Sequence, residues 1–285
     1  MSGTTAGGAG SEAFFALGDA AVDGGVLRRA VRGLAATAGP WTADAMHGGP
    51  PSALLVRACE EAAGADGPPL VAVRAAVDFL GPVPLGDLEV TARLVRPGRR
   101  VALAEATMHA AGRPVLTART WFLAVAAGPV PLPPGAPDGS AGTEPVPPPD
   151  DLAQVGGRFW TSFPYARAVE WRPARGDADG PGDAAVWARP RIPLVAGEEP
   201  SGLQRAVLVA DSSSGVSAGL DWASWQFVNV DLTVHLARPL VGDWVCLDAR
   251  SGYAPSGTGL ARATLHDQDG VVGASAQSLV VAPAR

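Results

Sequence analysis

Three turn signals in the first half of this sequence return in the second half at nearly one spacing. Gly81-Pro82 corresponds to Arg238-Pro239 at a distance of 157 residues, Gly86-Asp87 to Gly242-Asp243 at 156, and Gly112 to Gly270 at 158. Glycine punctuates a chain because it reaches left-handed backbone, and proline because it fixes φ and lacks a donor. Matched breaks imply matched lengths between them, so the 285 residues read as two copies of one architecture. Between the copies, residues 128–150 read GPVPLPPGAPDGSAGTEPVPPPD, and their nine prolines leave no room for a helix or an inner strand. The expected organisation is a first domain over 1–127, a Pro/Gly-rich linker over 128–150 and a second domain over 151–285.

Within each copy the same order of elements is expected. After His47-Gly48-Gly49-Pro50-Pro51, the run SALLVRACEEAAG sets Leu54, Leu55, Ala58, Cys59 and Ala62 on one stripe of a helix, and prolines at its start cost nothing because the first amides have no partner. VAVRAAVDFLGPVPLGD then leads into LEVTARLV, where apolar and polar residues alternate as on a half-buried strand. VALAEATMHA and RPVLTARTWFLAV, turning at Ala111-Gly112, complete a meander. In the second copy, LQRAVLVADSSSGVSAGL, residues 203–220, is the helical candidate. FVNVDLTVHLARPLVGD leads in, and WVCLDARS, TGLARATLHD and VVGASAQSLVV are strands. A helix of this kind buries its stripe only against the apolar face of a sheet, so each sheet is expected to curl around its helix in an α+β fold.

Composition removes several chemistries. All 22 basic residues are arginine, so a Schiff-base lysine, a Walker lysine and an S-x-x-K nucleophile are excluded. The net charge of −6 argues against nucleic acid, whose phosphates require a basic face. No apolar run reaches the roughly 18 residues of a membrane span, and MSGTTAGGAGSEAFF lacks the basic and apolar regions of a signal peptide, so a cytoplasmic protein without a membrane partner is expected. His47, His109, His235 and His266 are too far apart in sequence to show a local metal pattern, and no metal is expected. Cys59 and Cys246 read as free buried thiols.

One stretch admits two chemistries. In VADSSSGVSAGLD, residues 209–221, Gly215-Val216-Ser217-Ala218-Gly219 fits the G-x-S-x-G pattern of a nucleophile elbow, and Asp248 and His266 follow in the right order. The residues before it, Leu203, Ala206, Val207 and Ala210, keep helical spacing instead of forming the strand an elbow needs. That leaves Asp211, an acid in an apolar run, as the better candidate, against the plainer reading of a polar helix end.

HGGPPSALL with VDFLGPVPLGDLEVTARLVRPGRR, and VNVDLTVHLARPLVGDW with DQDGVVGASAQSLV, resemble the acyl-CoA thioesterase II type of the thioesterase superfamily over roughly residues 40–125 and 160–282. The resemblance implies a double hot-dog, two antiparallel sheets each wrapped around a long central helix, with the catalytic residues in the C-terminal hot-dog domain. It implies hydrolysis of a fatty acyl-CoA by a water held between a helix Asp, a Ser or Thr and a strand Gln. By position the Asp falls on Asp211 and the Gln on Gln277. The hydroxyl position falls on Asn229, a departure that replaces a hydroxyl with an amide. The site is expected near the interface of the halves, with Asp211 as general base, Asn229 and Gln277 holding the water, and His47, Gly48 and Gly49 at the substrate, where free helix amides would meet oxyanion charge. No cofactor is implied, and the partner is a small acyl thioester, CoA-bound or carrier-bound, with a homo-oligomer left open. Arg96, Arg99 and Arg100 are either a solvated turn or a grip on CoA phosphates. Trp121, Trp187, Trp222, Trp225 and Trp244 read as core or interface mass. Two other functions stay open: a hydratase or dehydratase of enoyl or hydroxyacyl thioesters, and an acyl-thioester-binding protein without turnover.

Overall fold

The computed structural model describes residues 12–64, 70–126, 128, 130, 131, 133, 134, 144–154, 159–177 and 180–284. MSGTTAGGAGS at the N-terminus and linker residues 129, 132 and 135–143 therefore lie outside the described residues. The first half opens with a hairpin, β1 (Phe15–Asp23) and β2 (Val26–Gly33), whose two-residue turn puts Gly24 at φ 55° and Gly25 at φ 78°, the left-handed pair that matches strand twist. α1 (Gly49–Ala63) follows, then β3 (Leu70–Phe79) and the meander β4 (Gly86–Arg96), β5 (Val101–Ala110) and β6 (Arg113–Ala124). The second half contains α2 (Pro164–Ala168), β7 (Val169–Arg175), β8 (Ala184–Pro190), α3 (Gly202–Ala210), α4 (Ser213–Val216), β9 (Trp225–Asn229), β10 (Asp231–Leu236), β11 (Val245–Ala254), β12 (Thr258–Asp267) and β13 (Gly270–Pro283).

All the strand pairs are antiparallel and belong to one sheet, in the order β1-β2-β4-β5-β6-β3-β10-β13-β12-β11-β8-β7, with β9 also on β13. Read outward from the β3/β10 pair, both halves run in the same sequence of strands. The expectation of two separate sheets is corrected here. Edge strands carry unpaired amides and carbonyls, and β3 and β10 satisfy theirs on each other, Asp78 facing Asp231 and Ala76 facing Thr233. Ala76 and Thr233 are themselves 157 residues apart, so the seam is centred on equivalent positions.

The two helices lie on the same side of this seam. α1 packs on β4, β5 and β6, α3 on β8, β10 and β11, and the helices pack on each other. Leu54, Leu55 and Val56 of α1 are almost fully buried, each stabilising the fold by about 1.5–3 kcal/mol, and one apolar cluster runs through both halves. Among the described residues no helix is long and apolar enough to cross a membrane. Pro147 and Pro149, in the segment expected to be a linker, are tied to β8 and β7, where Trp187 Nε1 donates to the Pro147 carbonyl at 2.8 Å and Arg172 to that of Pro149 at 2.7 Å.

A second correction concerns the helix expected over 203–220. α3 stops at Ala210, and only the short α4 follows. Polar side chains take the carbonyls that a continuous helix would use. Tyr165 donates its hydroxyl to the Leu208 carbonyl at 2.9 Å, Ser213 to that of Ala210 at 2.7 Å, and Gln277 Nε2 to that of Asp211 at 3.1 Å.

Candidate active site

The break after α3 determines where Asp211 points. Asp211 is the residue that closes α3, with helical backbone at φ −60° and ψ −20°, and its side chain, only 4% exposed, meets the start of α1. Asn229 Nδ2, at the end of β9, donates to Oδ1 at 2.9 Å and to the Asp231 carbonyl at 3.2 Å. Gln277 Nε2, from β13, reaches the same Oδ1 at 3.4 Å, while its Oε1 accepts from the Ser214 amide at 3.2 Å. On the other side, His47 Nδ1 stands 3.1 Å from Asp211 Oδ2. Three elements of the second half and the α1 entrance of the first thus converge on one carboxylate.

Gly48 and Gly49 are required by this approach. A Cβ on Gly48 would lie 2.8 Å from Asp211 Oδ2 and 2.7 Å from the Phe79 ring, and one on Gly49 would overlap the Leu208 carbonyl oxygen. Glycine is the residue that lets α1 come this close to α3. The expected supply of free amides at this helix start is corrected by the same geometry. Pro50 and Pro51 have no N–H, and the Gly49 amide donates to His47 Nδ1 at 3.2 Å. Gly48 remains as the amide of this turn beside the cavity.

That cavity, about 360 Å³, lies in front of Asp211 and Asn229, with His47, Gly48, Phe163 and Trp222 among its walls. Gln277 and Gly49 are not among its lining residues. Gln277 instead sits behind Asp211, 1% exposed, with both ends of its amide engaged by the 211–214 turn. Trp222 faces the cavity with Trp41, their ring centroids 5.3 Å apart, so it is wall and not only core. Trp41, Phe163 and Tyr165 had no signal in the sequence, because their placement depends on packing between distant segments.

The Tyr165 ring stacks on the His47 imidazole at 3.8 Å with 9° between planes. Burial holds the His47 pKa below its ordinary value of 6.5, against the opposing pull of Asp211, because charge is disfavoured away from water. The folded protein therefore takes up this proton at lower pH than the unfolded chain does. Stability from His47 is present above pH 6.5 and is lost as pH falls through the lowered value. The urea midpoint of the protein is expected to fall more between pH 7 and pH 5 than that of His47→Gln; equal falls would assign the acid loss elsewhere.

The alternative nucleophile is engaged structurally. Ser217 donates to the Ser213 carbonyl at 2.9 Å and shares a hydrogen bond with the Ser251 hydroxyl at 2.8 Å. Asp248 pairs with Arg175 at 2.7 Å. Neither arrangement brings a base to Ser217. The thiols of Cys59 and Cys246 are buried, and burial pushes that of Cys59 up to about 12 and that of Cys246 up as well.

Comparison with known proteins agrees with this architecture. A hot-dog-fold protein of unknown function from Alicyclobacillus acidocaldarius is 18% identical and superimposes with a TM-score of 0.69 over 94% of this chain and 96% of its own. A TesB protein of Mycobacterium avium subspecies paratuberculosis is 19% identical, with a TM-score of 0.63 over 93% and 96%. An acyl-CoA thioesterase II from Mycobacterium marinum is 16% identical, with a TM-score of 0.61 over 93% and 95%. At such identities the likeness is one of fold. No curated protein sequence matches the chain significantly. Two family models do match: the acyl-CoA thioesterase N-terminal domain over residues 37–123 and the acyl-CoA thioesterase C-terminal domain over residues 143–281. With both domains present in order and together spanning most of its length, the chain belongs to the acyl-CoA thioesterase family.

Proposed function

We propose that this protein hydrolyses an acyl thioester, acyl-CoA by family, as a tandem double hot-dog of domains 1–127 and 151–285 joined by the linker 128–150. The observation that carries the proposal is the buried Asp211 carboxylate, held by two amides at the wall of a largely apolar cavity between the halves. In this reading Asp211 takes a proton from water as the water oxygen attacks the thioester carbon. The C–S bond breaks, and the proton passes to the departing thiolate, giving free acid and thiol. Asn229 supplies the donor that a Ser or Thr hydroxyl would supply to Asp211, and its amide oxygen is left to accept from the water. Gln277 is a positioning residue, holding the 211–214 turn from behind. Gly48 offers an amide to the developing oxyanion.

Thiol release from acyl-CoAs of increasing chain length is the direct test, with Ellman's reagent usable on the native protein because Cys59 and Cys246 are buried. Turnover with a defined chain-length optimum is expected. A chain that releases no thiol from any of them is not a thioesterase of this kind. The 3.1 Å approach of His47 to Asp211 favours one second reading, hydration of an enoyl thioester by a His and an acid sharing a proton. Loss of enoyl absorbance without thiol release would select it.

A further inference from the structure

A second and larger cavity, about 940 Å³, opens at the other end of the α1/α3 pair. Its walls repeat those of the first. Leu70, Val71 and Ala72 stand 157 residues before Phe227, Val228 and Asn229, and Leu236, Pro239 and Leu240 stand 157 residues after Phe79, Pro82 and Val83. All of the former line the large cavity and all of the latter line the small one. The helix ends correspond too. Where the small cavity has Gly48 at the start of α1 and Asp211 at the end of α3, the large one has Ser201 and Gly202 at the start of α3 and Glu60 near the end of α1.

The chemistry of the two is different. Ala72 occupies the place of Asn229. Ala276 faces Thr233 as Arg119 faces Ala76, so Thr120 occupies the place of Gln277. Among the described residues, no amide from the sheet bonds Glu60. Its carboxyl is held from α3 instead, by Ser201 Oγ at 2.7 Å and by Gln204 Nε2. Burial pushes its pKa up, which favours the neutral acid. The remaining wall is mainly apolar, including Leu94 and Phe122, with Arg99 as a cation on the lining.

We propose that this second cavity binds an apolar chain with an anionic end, a fatty carboxylate or an acyl-CoA, without hydrolysing it. The chain lies along Leu94, Phe122 and Leu240, and the anion faces Arg99. The class of ligand rests on the thioesterase reading, whereas the existence of the site rests on the matched walls. Calorimetric titration with S-dodecyl-CoA, a thioether with no carbonyl to attack, counts the sites, and dodecanoate in a parallel titration tells whether the acid alone suffices. The protein is expected to bind a second equivalent that Ala72→Trp, which fills the cavity, removes, while thiol release stays within about twofold because the sites are separate. Leu94→Glu, which puts a charge on the apolar wall, is expected to do the same and covers the case in which Ala72→Trp fails to fold. Asn229→Trp, which fills the first cavity, is expected to leave this equivalent in place. A folded Ala72→Trp or Leu94→Glu that binds as much thioether as the unaltered protein overturns the proposal. So does a single equivalent that Asn229→Trp abolishes. Absence of thiol release with the Ala72-sensitive equivalent intact would remove the thioesterase reading and leave this site standing.

Discussion

Asp211→Asn is expected to lower thiol release by about a thousandfold, the order contributed by a positioned general base, with the urea midpoint unchanged or slightly raised. The substitution is close to isosteric, and each contact has a replacement. Asn Oδ1 still accepts from Asn229 Nδ2 at the 2.9 Å position and from Gln277. Asn Nδ2 takes the place of the oxygen that stands 3.1 Å from His47 Nδ1 and shares that acceptor with the Gly49 amide. What disappears is the charge and the capacity to take a proton from water. Removing one buried charge from an apolar wall carries little penalty when its hydrogen bonds survive. A variant with full thiol release would show that water is activated by some other group.

Gly49→Ala is expected to cost about 3 kcal/mol of stability, the upper end for overpacking a tight contact, seen as a lower urea midpoint at unchanged slope. The added Cβ would overlap the Leu208 carbonyl oxygen and come within 3.1 Å of its carbon. These are backbone atoms, so no rotamer change relieves the contact, and α1 must move off α3. That movement also draws His47 away from Asp211, so thiol release is expected to fall with stability. Gly81→Ala is the control, since a Cβ there meets nothing within 4 Å and φ is not left-handed; it is expected to be neutral. An unaltered midpoint for Gly49→Ala would mean that the helices slide apart at no cost.

The parts of the fold visible in the sequence are those whose pattern is local. α1 is marked by its stripe and by the glycines and prolines before it, and β4, β5, β6, β11, β12 and β13 by alternation and by turn residues at one spacing. β1 and β7 gave no such signal. FALGDAAVD is exposed along most of its length, so nothing alternates, and VEWRPAR contains Pro173, tolerated because β7 ends the sheet. The polar run Asp211-Ser212-Ser213-Ser214 breaks the apolar spacing of α3 just where the helix ends, but of the groups that take its carbonyls only Ser213 is local, while Tyr165 and Gln277 are 43 and 66 residues away. Asp211 stood out as a lone acid in an apolar run, whereas its role and the choice of Asn229 and Gln277 came through family resemblance, not through spacing. The stacked Tyr165 and the second cavity became visible only once distant segments were placed together.

Ala76 facing Thr233 is the arrangement that a self-complementary dimer would make across its two-fold axis. In such a dimer every substitution appears twice, so a residue gained on one side is imposed on the other. A single continuous chain is released from that coupling. Positions 72 and 229 are therefore free to differ, so that an asparagine amide stands on the wall of one chamber and an alanine on the wall of its larger twin.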